Sequence, residues 1–293
     1  MKIGIVTKNQ HGWCSTQLCR AMEKQNITPV CFSFNRLAAR VGLKPEASVQ
    51  QINVLRDLDA LIIRPIGRGS VEEIIFRMDL LHRLQRLGMP IFNPPLSIER
   101  AVDKYHALAL LEEHQLPIPS TVITEDPDEA LKAFHELGCD VVMKPVFGSR
   151  GIGSNRISDP DVAQRLFRAL AFYHEVIYLQ KFIPHGTSDV RAFVVGKRVI
   201  AAMYRVSASS WKTNVSLGAQ PVALSLSDEL DSLAVKASEV IGCKISGVDI
   251  LETENGPAII ELNSQPGWRG LQSVANVNIA EQIVRFVTAE VKT

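Results

Sequence analysis

The stretch Gly247-Val-Asp-Ile-Leu-Glu-Thr-Glu-Asn-Gly-Pro-Ala-Ile-Ile-Glu-Leu-Asn-Ser-Gln-Pro-Gly267 reads as two strands joined by a turn. Val248 to Leu251 is apolar around one acid, Glu254-Asn255-Gly256 turns the chain, and Ala258 to Leu262 returns. Side chains two apart on a strand share a face, so Glu261 and Asn263 point the same way, and the hairpin brings Asp249 alongside them. All three offer oxygen, and neither Cys nor His joins them. Such a set suits Mg²⁺, which keeps several waters and takes further ligands from substrate phosphates. An ordinary hairpin with acids on its wet face would have the same sequence, so the rest of the chain has to decide.

At 293 residues the chain can build a substantial core, divided into two or three lobes. With 46% hydrophobic and 22% charged residues it has the composition of an ordinary globular protein. A net charge of +1 supplies no global field for nucleic acid or an acidic membrane, so neither is an expected partner and any anion must be held by a local site. No run approaches a membrane span, and the opening MKIGIVTKNQ lacks the long apolar core of a signal peptide, so a cytoplasmic protein is expected. The five cysteines show no CxxC or zinc spacing, and their odd number argues against a disulfide framework.

Toward the N-terminus, Lys2 to Thr7, Pro29 to Phe34 and Ala60 to Ile63 read as strands, and Ser15 or Thr16 is expected to cap a helix running to Lys24. Strands alternating with helices predict a parallel sheet with crossover helices. Loops after such strands bind ligands, which makes His11, Trp13 and Arg64 candidate substrate contacts, with plain surface as the other reading. Ser70-Val-Glu-Glu73 is a capping box opening an apolar-periodic helix to Gly88. Arg64 and Arg68, beside glycines just before that helix, are suited to an anion or to solvent. A second helical stretch from Ser97 contains Asp103-Lys104, and a third opens at Asp126-Pro127.

Val141 to Lys144 reads as a buried strand leading into the glycine-rich loop Val146-Phe-Gly148-Ser149-Arg-Gly151-Ile-Gly153. Such a loop lets backbone N–H groups approach a phosphate, and Lys144 can add a point charge. It is neither a P-loop, whose lysine follows the last glycine, nor a dinucleotide fingerprint, since Ser154 to Ser158 looks extended rather than helical. Glu175 to Ile183 is expected to be a strand running into an exposed edge, whose backbone can hydrogen-bond a purine. Asp189 to Val195 and Arg198 to Arg205 form an antiparallel hairpin in which Arg191 and Arg205 alternate with apolar neighbours, a pattern usually explained by a solvated face. Trp211 to Asn214 and Trp268 to Gly270 read as loops, Ser227 caps a helix ending at Gly242, and Ile279 to Val291 closes the chain as an amphipathic helix.

Together these stretches resemble the ATP-grasp ligases, and within them the RimK-type amino-acid ligases, which attach glutamate to a protein or small-molecule carboxylate. The resemblance runs from about Asn93 to the C-terminus, with the motifs in the family's order. It implies an α/β fold, α+β in its C-terminal part: an N-terminal parallel-sheet lobe over 1–92, a central lobe with the glycine-rich loop over 93–175, and a C-terminal antiparallel-sheet lobe with the metal site over 176–293. Lys104 and Lys144 are similar to the family's two ATP lysines, and Gly148, Ser149, Gly151 and Gly153 to the loop that closes over the phosphates. Gln180, Lys181, Phe182 and Ile183 stand at the adenine hinge, where the family often carries an acid in second position. Asp189 and Lys212 are implied nucleotide contacts, and Arg191, Arg205 and Asn214 the anion-binding and active-site groups. Asp249, Glu261 and Asn263 are implied to bind Mg²⁺, two ions, with Mn²⁺ as the alternative.

The implied chemistry is an ATP-dependent carboxylate–amine ligation through an acyl phosphate. Its expected substrates are ATP, glutamate and a carboxylate acceptor, and the family often forms homodimers or homotetramers. The stretch from Arg64 to Asp79 looks more like the glutamate ligases of tetrahydromethanopterin-type pterin biosynthesis than those acting on a ribosomal protein. Two alternatives stand beside it: an ATP-grasp ligase using another amine, as in lysine or arginine biosynthesis, and a non-catalytic nucleotide-binding regulator.

Overall fold

The computed structural model describes residues 1–148 and 152–292. Its first sheet is built from β1 (Lys2–Val6), β2 (Thr28–Phe32), β6 (Ala60–Ile63) and β7 (Ile91–Phe92), all parallel in the order β2-β1-β6-β7. The helices α1 (Trp13–Glu23) and α3 (Val71–Arg86) cover its faces, and a small meander of β3 (Leu37–Ala39), β4 (Ala47–Val49) and β5 (Ile52–Asn53), followed by α2 (Val54–Asp57), packs beside it. The capping box forms as read, Ser70 Oγ accepting from Glu73 N and Glu73 accepting from Ser70 N. The start of α1 differs from expectation. Gly12, not Ser15 or Thr16, is the N-cap, and Ser15 is buried inside the helix with its hydroxyl 3.2 Å from that of Thr7. The hydroxyl finds a partner on β1's continuation rather than on its own helix terminus.

Next come α4 (Pro95–Val102) and α5 (Lys104–Glu113). The single helical stretch expected here is broken at Asp103, which has extended backbone and caps α5 by accepting from Tyr105 N and His106 N. The central sheet, in the order β10-β9-β11-β8, comprises β8 (Thr121–Thr124), β9 (Val141–Lys144), β10 (Asn155–Ile157) and β11 (Ile177–Lys181). The helix expected from Asp126-Pro127, α6 (Pro127–Glu136), and a helix the sequence reading did not foresee, α7 (Pro160–Phe172), share one buried core against it around Phe134 and Phe167. Each opens with Asp-Pro, the aspartate accepting from the second and third helical N–H. Two expectations change here. The central sheet runs on to Lys181, past the boundary drawn at 175, and β11 is an interior strand between β9 and β8 rather than an exposed edge.

The third sheet is antiparallel, in the order β14-β13-β12-β15-β16, from β12 (Ser188–Val195), β13 (Arg198–Val206), β14 (Gln220–Leu224), β15 (Ile245–Thr253) and β16 (Gly256–Asn263). One face, with Val190, Ala192, Val194, Val248 and Ile250, packs on α8 (Asp228–Ile241) and α5, so residues 95–113 belong structurally with the C-terminal part. Trp268 is not in an exposed loop: it is 1% exposed and leads into the short helix α9 (Arg269–Gln272). The last helix, α10 (Ile279–Lys292), shares one core with α1 and β1 of the first sheet, closing the chain on itself. All five cysteines are free, and four of them are only partly buried; burial of Cys243 pushes its thiol up to about 12. No helix among the described residues is long and apolar enough to cross a membrane.

The first and third sheets are tied together by Asn93, which is 1% exposed. Its Nδ2 donates to the carbonyls of Ile245 and Ser264, and its Oδ1 accepts from Lys244 N at 2.7 Å and Ile245 N at 2.8 Å. A side chain that satisfies the backbone at both ends of the β15–β16 hairpin cannot be trimmed without leaving buried polar groups unpaired, each of which costs about 1–3 kcal/mol. Asn93→Ala is therefore expected to lower the unfolding free energy by about 3 kcal/mol or more, measured by urea denaturation.

Candidate active site

The register of the third sheet decides what meets what. Asp189 pairs with Arg205 across β12 and β13, Arg191 with Asp249 across β12 and β15, and Asp249 with Glu261 across β15 and β16. Directly paired residues and residues two apart share a face, so Asp189, Arg191, Arg205, Asp249, Glu261 and Asn263 all stand on the face opposite α8. A bulge after Asp249 makes Ile260 the extra residue of β16, which sends Ile259 into the core under α8 and Ile260 into the cleft.

The arginines are not on a solvated face. Arg205 is 5% exposed and forms a bidentate ion pair with Asp189 while its NH2 lies 3.0 Å from Asp249 Oδ2. Arg191 donates to the same Asp249 oxygen at 2.8 Å. Burial works against the charge on Arg205, but Asp249 and Asp189 outweigh it and raise its pKa. Gly247 makes room for this arrangement, since a Cβ there would collide with the Arg191 guanidinium and approach Pro266 Cβ to 3.0 Å. Asp189 is thus a holder of Arg205, with burial pushing its own pKa up.

The central sheet supplies the opposite wall. Lys144, at the end of β9, donates to Gln180 Oε1 at 2.6 Å, and Gln180 in turn donates to Thr121 Oγ1 and the Tyr178 hydroxyl. Gln180 is 2% exposed, so its side chain positions Lys144 and does not reach outward as a hinge contact. Lys104 reaches from the first turn of α5 to the carbonyls of Val146 and Gly148, at 3.1 and 2.9 Å, and so grips the root of the glycine-rich loop. That loop is the hairpin between β9 and β10, and Gly153 at φ +80° turns it back. Ser149 and Gly151 lie outside the described residues. Burial lowers the pKa of both lysines, to about 8 for Lys144, against the pull of Glu261.

Between the walls is an open cleft. Lys104, Lys144, Asp189, Arg205, Asp249 and Glu261 line it. Ile152, Phe182, Ile183, Leu251 and Ile260 are among its apolar lining residues, and Lys181, Lys212 and Asn214 line it as well. At the hinge, Lys181 and Phe182 spend their N–H groups on the carbonyls of Ser120 and Asp140. The backbone donor left there is that of Ile183, which makes no hydrogen bond among the described residues. Arg156, paired with Asp140, stacks 3.6 Å from the centre of the Phe182 ring, and Trp211 meets the same ring edge-on. Arg191 reaches the cleft through Asp249, and Asn263 sits beside Glu261 on the same face.

Sequence reading missed His185, Trp211 and Thr213 as cleft-lining groups. Thr213 stands against Asp189 and works to lower its pKa, a contact between segments apart in sequence and without a local signal. Leu251 was legible, being two residues after Asp249 on the same strand.

Asp249, Glu261 and Asn263 offer oxygen donors only, the chemistry that suits a hard cation. Burial, and the neighbouring charge of Asp249, raise the pKa of Glu261, and its carboxylate makes no hydrogen bond among the described residues. Asn263 likewise has a free amide, and Asp249 Oδ1 contacts Arg191 Nε without accepting a hydrogen bond. No group of three or more His, Cys, Asp or Glu side chains among the described residues could hold a metal, so an ion here relies on the amide oxygen and on ligand oxygens.

A RimK-like ATP-grasp domain matches residues 101–287. The chain belongs to the RimK-like ATP-grasp family. A tetrahydromethanopterin:alpha-L-glutamate ligase of Methanococcus maripaludis is 35% identical over 290 residues, 97% of this chain and 97% of its own length. The ligase of the same description from Methanocaldococcus jannaschii is 33% identical over the whole of both chains. Among solved structures, the ATP-grasp ligase PsnB complexed with minimal precursor, Mg and ADP superposes with a TM-score of 0.77 at 21% identity, covering 100% of this chain and 98% of that one. The RimK domain ATP-grasp protein of Sphaerobacter thermophilus gives 0.77 at 20% identity, covering 98% and 99%. The three-sheet architecture is therefore the ATP-grasp fold, and the chain is an ATP-grasp ligase by family.

The depressed pKa of Lys144 has a measurable sign. A polyphosphate binds the ammonium form, which in the free protein is lost as pH rises through about 8. ADP affinity is expected to fall roughly tenfold between pH 7 and pH 9, as the protonated fraction drops. Calorimetric titration at the two pH values checks this, and Lys144→Arg, charged throughout, is expected to abolish the dependence.

Proposed function

We propose that this ligase joins L-glutamate to a carboxylate acceptor, a reduced pterin of the tetrahydromethanopterin type in the first place and a protein C-terminus in the second. The observation that carries the reading is the convergence of Lys104 and Lys144 on the Asp249–Glu261 pair at the root of the glycine-rich loop. Kinship with the methanogen ligases over nearly the whole chain supports glutamate and a pterin as the substrates.

In this reading an acceptor carboxylate oxygen attacks the γ-phosphorus of ATP, the bond to the β-phosphate breaks, and ADP leaves. The glutamate nitrogen then attacks the acyl carbon, the carbon–oxygen bond breaks, phosphate leaves and the amine proton passes to solvent. Both steps gather negative charge, so the protein's part is positioning and electrostatic stabilisation. Lys104, Lys144 and Lys212 neutralise phosphate oxygens, and Arg191 and Arg205, with Asn214 near them, face the acyl phosphate. Gly148, Ser149, Gly151 and Gly153 cover the phosphates with backbone N–H groups. Ile183 N–H and the apolar walls around Phe182 receive the adenine, while Gln180 and Asp189 fix Lys144 and Arg205. Asp249, Glu261 and Asn263 would hold Mg²⁺, as two ions by family resemblance with Mn²⁺ as the alternative, and its charge would offset that of the phosphate oxygens.

A regulator that only binds nucleotide would need the lysines but not a carboxylate pair held against its own repulsion. ADP formation from ATP with glutamate, across acceptors that include a reduced pterin and a peptide ending in glutamate, tests the reading. Release requiring both glutamate and the pterin is expected; release without any amino acid would count against a ligase.

Glu261→Gln keeps the shape and removes the charge. Turnover is expected to fall roughly a hundred- to a thousandfold, since a metal clamp supplies several kcal/mol to the transition state. The apo protein should melt no lower than wild type, because burial and Asp249 both oppose the Glu261 charge. Full activity would remove Glu261 from the metal site.

A further inference from the structure

In the parallel sheet, β2 lies on one side of β1 and β6 on the other, so the loops leaving β1 and β6 part company and open a crevice at their C-terminal ends. Those loops carry Lys8, His11, Arg64 and Arg68 and no acid: the first after Thr7 is Glu23, and the first after Arg64 is Glu72. The N-terminus of α3 is not the anion site there, because Ser70 and Glu73 cap it and Arg77 donates to the carbonyls of Ile66 and Arg68. Attention falls instead on Arg64.

Arg64 is 7% exposed, yet it forms no ion pair among the described residues. The comparably buried Arg77, Arg191 and Arg205 each have a carboxylate. The Arg64 guanidinium donates to Pro266 O at 2.9 Å, lies 4.8 Å from the centre of the Trp268 ring and touches the Cys14 thiol. Burial lowers its pKa. Near Pro266 in the chain, Gln265 Nε2 and Trp268 Nε1 are buried donors without an acceptor among the described residues. Arg64 and Trp268 line a small, mostly apolar pocket in which Asn93 and Ser264 are the other polar groups. Stapling Pro266 accounts for one of the five guanidinium N–H groups and for none of the charge.

We propose that this crevice binds a non-reacting carboxylate of one of the ligase's two carboxylate-bearing substrates on Arg64, making Arg64 a specificity residue. A carboxylate supplies both the missing charge and acceptors for a planar fork. The position also suits the reaction. Pro266, held by Arg64, packs where Gly247 faces Arg191, so Arg64 stands one side-chain layer from the Arg191–Asp249 pair. The proposal rests on the ligase reading above, with either glutamate or the acceptor as the source of the carboxylate.

The test uses Arg64→Lys, which keeps the charge without the fork, and Arg64→Met. The KM for glutamate, the KM for the acceptor and the affinity for ADP are measured for each. One of the two KM values is expected to rise about 10- to 100-fold, as for loss of charge-assisted hydrogen bonds, with ADP affinity within twofold of wild type. The substrate whose KM rises is the source of the carboxylate. Separately, in a Trp211→Phe background Trp13 and Trp268 alone report, and titration with L-glutamate or glutarate is expected to change their fluorescence, the change vanishing in Arg64→Met. If the methionine variant does not fold, Arg64→Lys decides with the same readouts. Both KM values within twofold of wild type would overturn the proposal while leaving the ligase standing. If no substrate pair turns over, a fluorescence change that depends on Arg64 keeps the carboxylate site and sinks the ligase reading, whereas no response to glutamate, glutarate or the carboxylate acceptor overturns the site itself.

Discussion

The structure depends on a line of alternating charges buried across one sheet face: Asp189, Arg205, Asp249 and Arg191. Each is withdrawn from water and would be costly alone, because a buried charge without its partner loses several kcal/mol. Together they satisfy one another only in one register of β12, β13 and β15, since a shift by one residue would turn every member to the opposite face. That register in turn puts Glu261 beside Asp249, and Glu261 is the group left without a counter-charge of its own on the sheet. The site is therefore built unbalanced, with its last carboxylate answered from across the cleft by Lys104 and Lys144.

Those lysines come from elements that answer to different cores. Lys144 ends β9 in the central sheet and is aimed by Gln180 of the neighbouring strand, whereas Lys104 rides on α5, which packs with α8 on the C-terminal sheet. Lys104 spans the gap by bonding the carbonyls at the root of the glycine-rich loop. A ligand drawing Lys104 toward its phosphates competes with those bonds, which couples occupancy of the cleft to the loop above it. The N-terminal sheet meets this assembly through Asn93 and through the Arg64–Pro266 contact, both of which grip the chain just after Asn263 or just before β15.

Much of this was legible in the chain. The hairpin from Val248 to Leu262, the i, i+2 pairing of Glu261 with Asn263, the Ser70 capping box and the order of the family motifs rest on strand period, cap chemistry and spacing, which are local properties. They were enough to give the fold and the family. Local rules also misled in identifiable ways. Arginines alternating with apolar residues are usually solvated, but here carboxylates on neighbouring strands compensate them. Gln180 reads as a hinge residue because nothing in its own segment reveals that Lys144 stands beside it.

Most of the elements, and the oxygen and nitrogen groups they carry, follow from the chain alone, because backbone periodicity and capping are settled within a few residues. Only the tertiary structure decided which charges are buried and who answers them. Solvation of a side chain depends on what a distant segment lays over it, as Trp268 does over Arg64 and Thr213 beside Asp189, and that information resides in the packing between lobes.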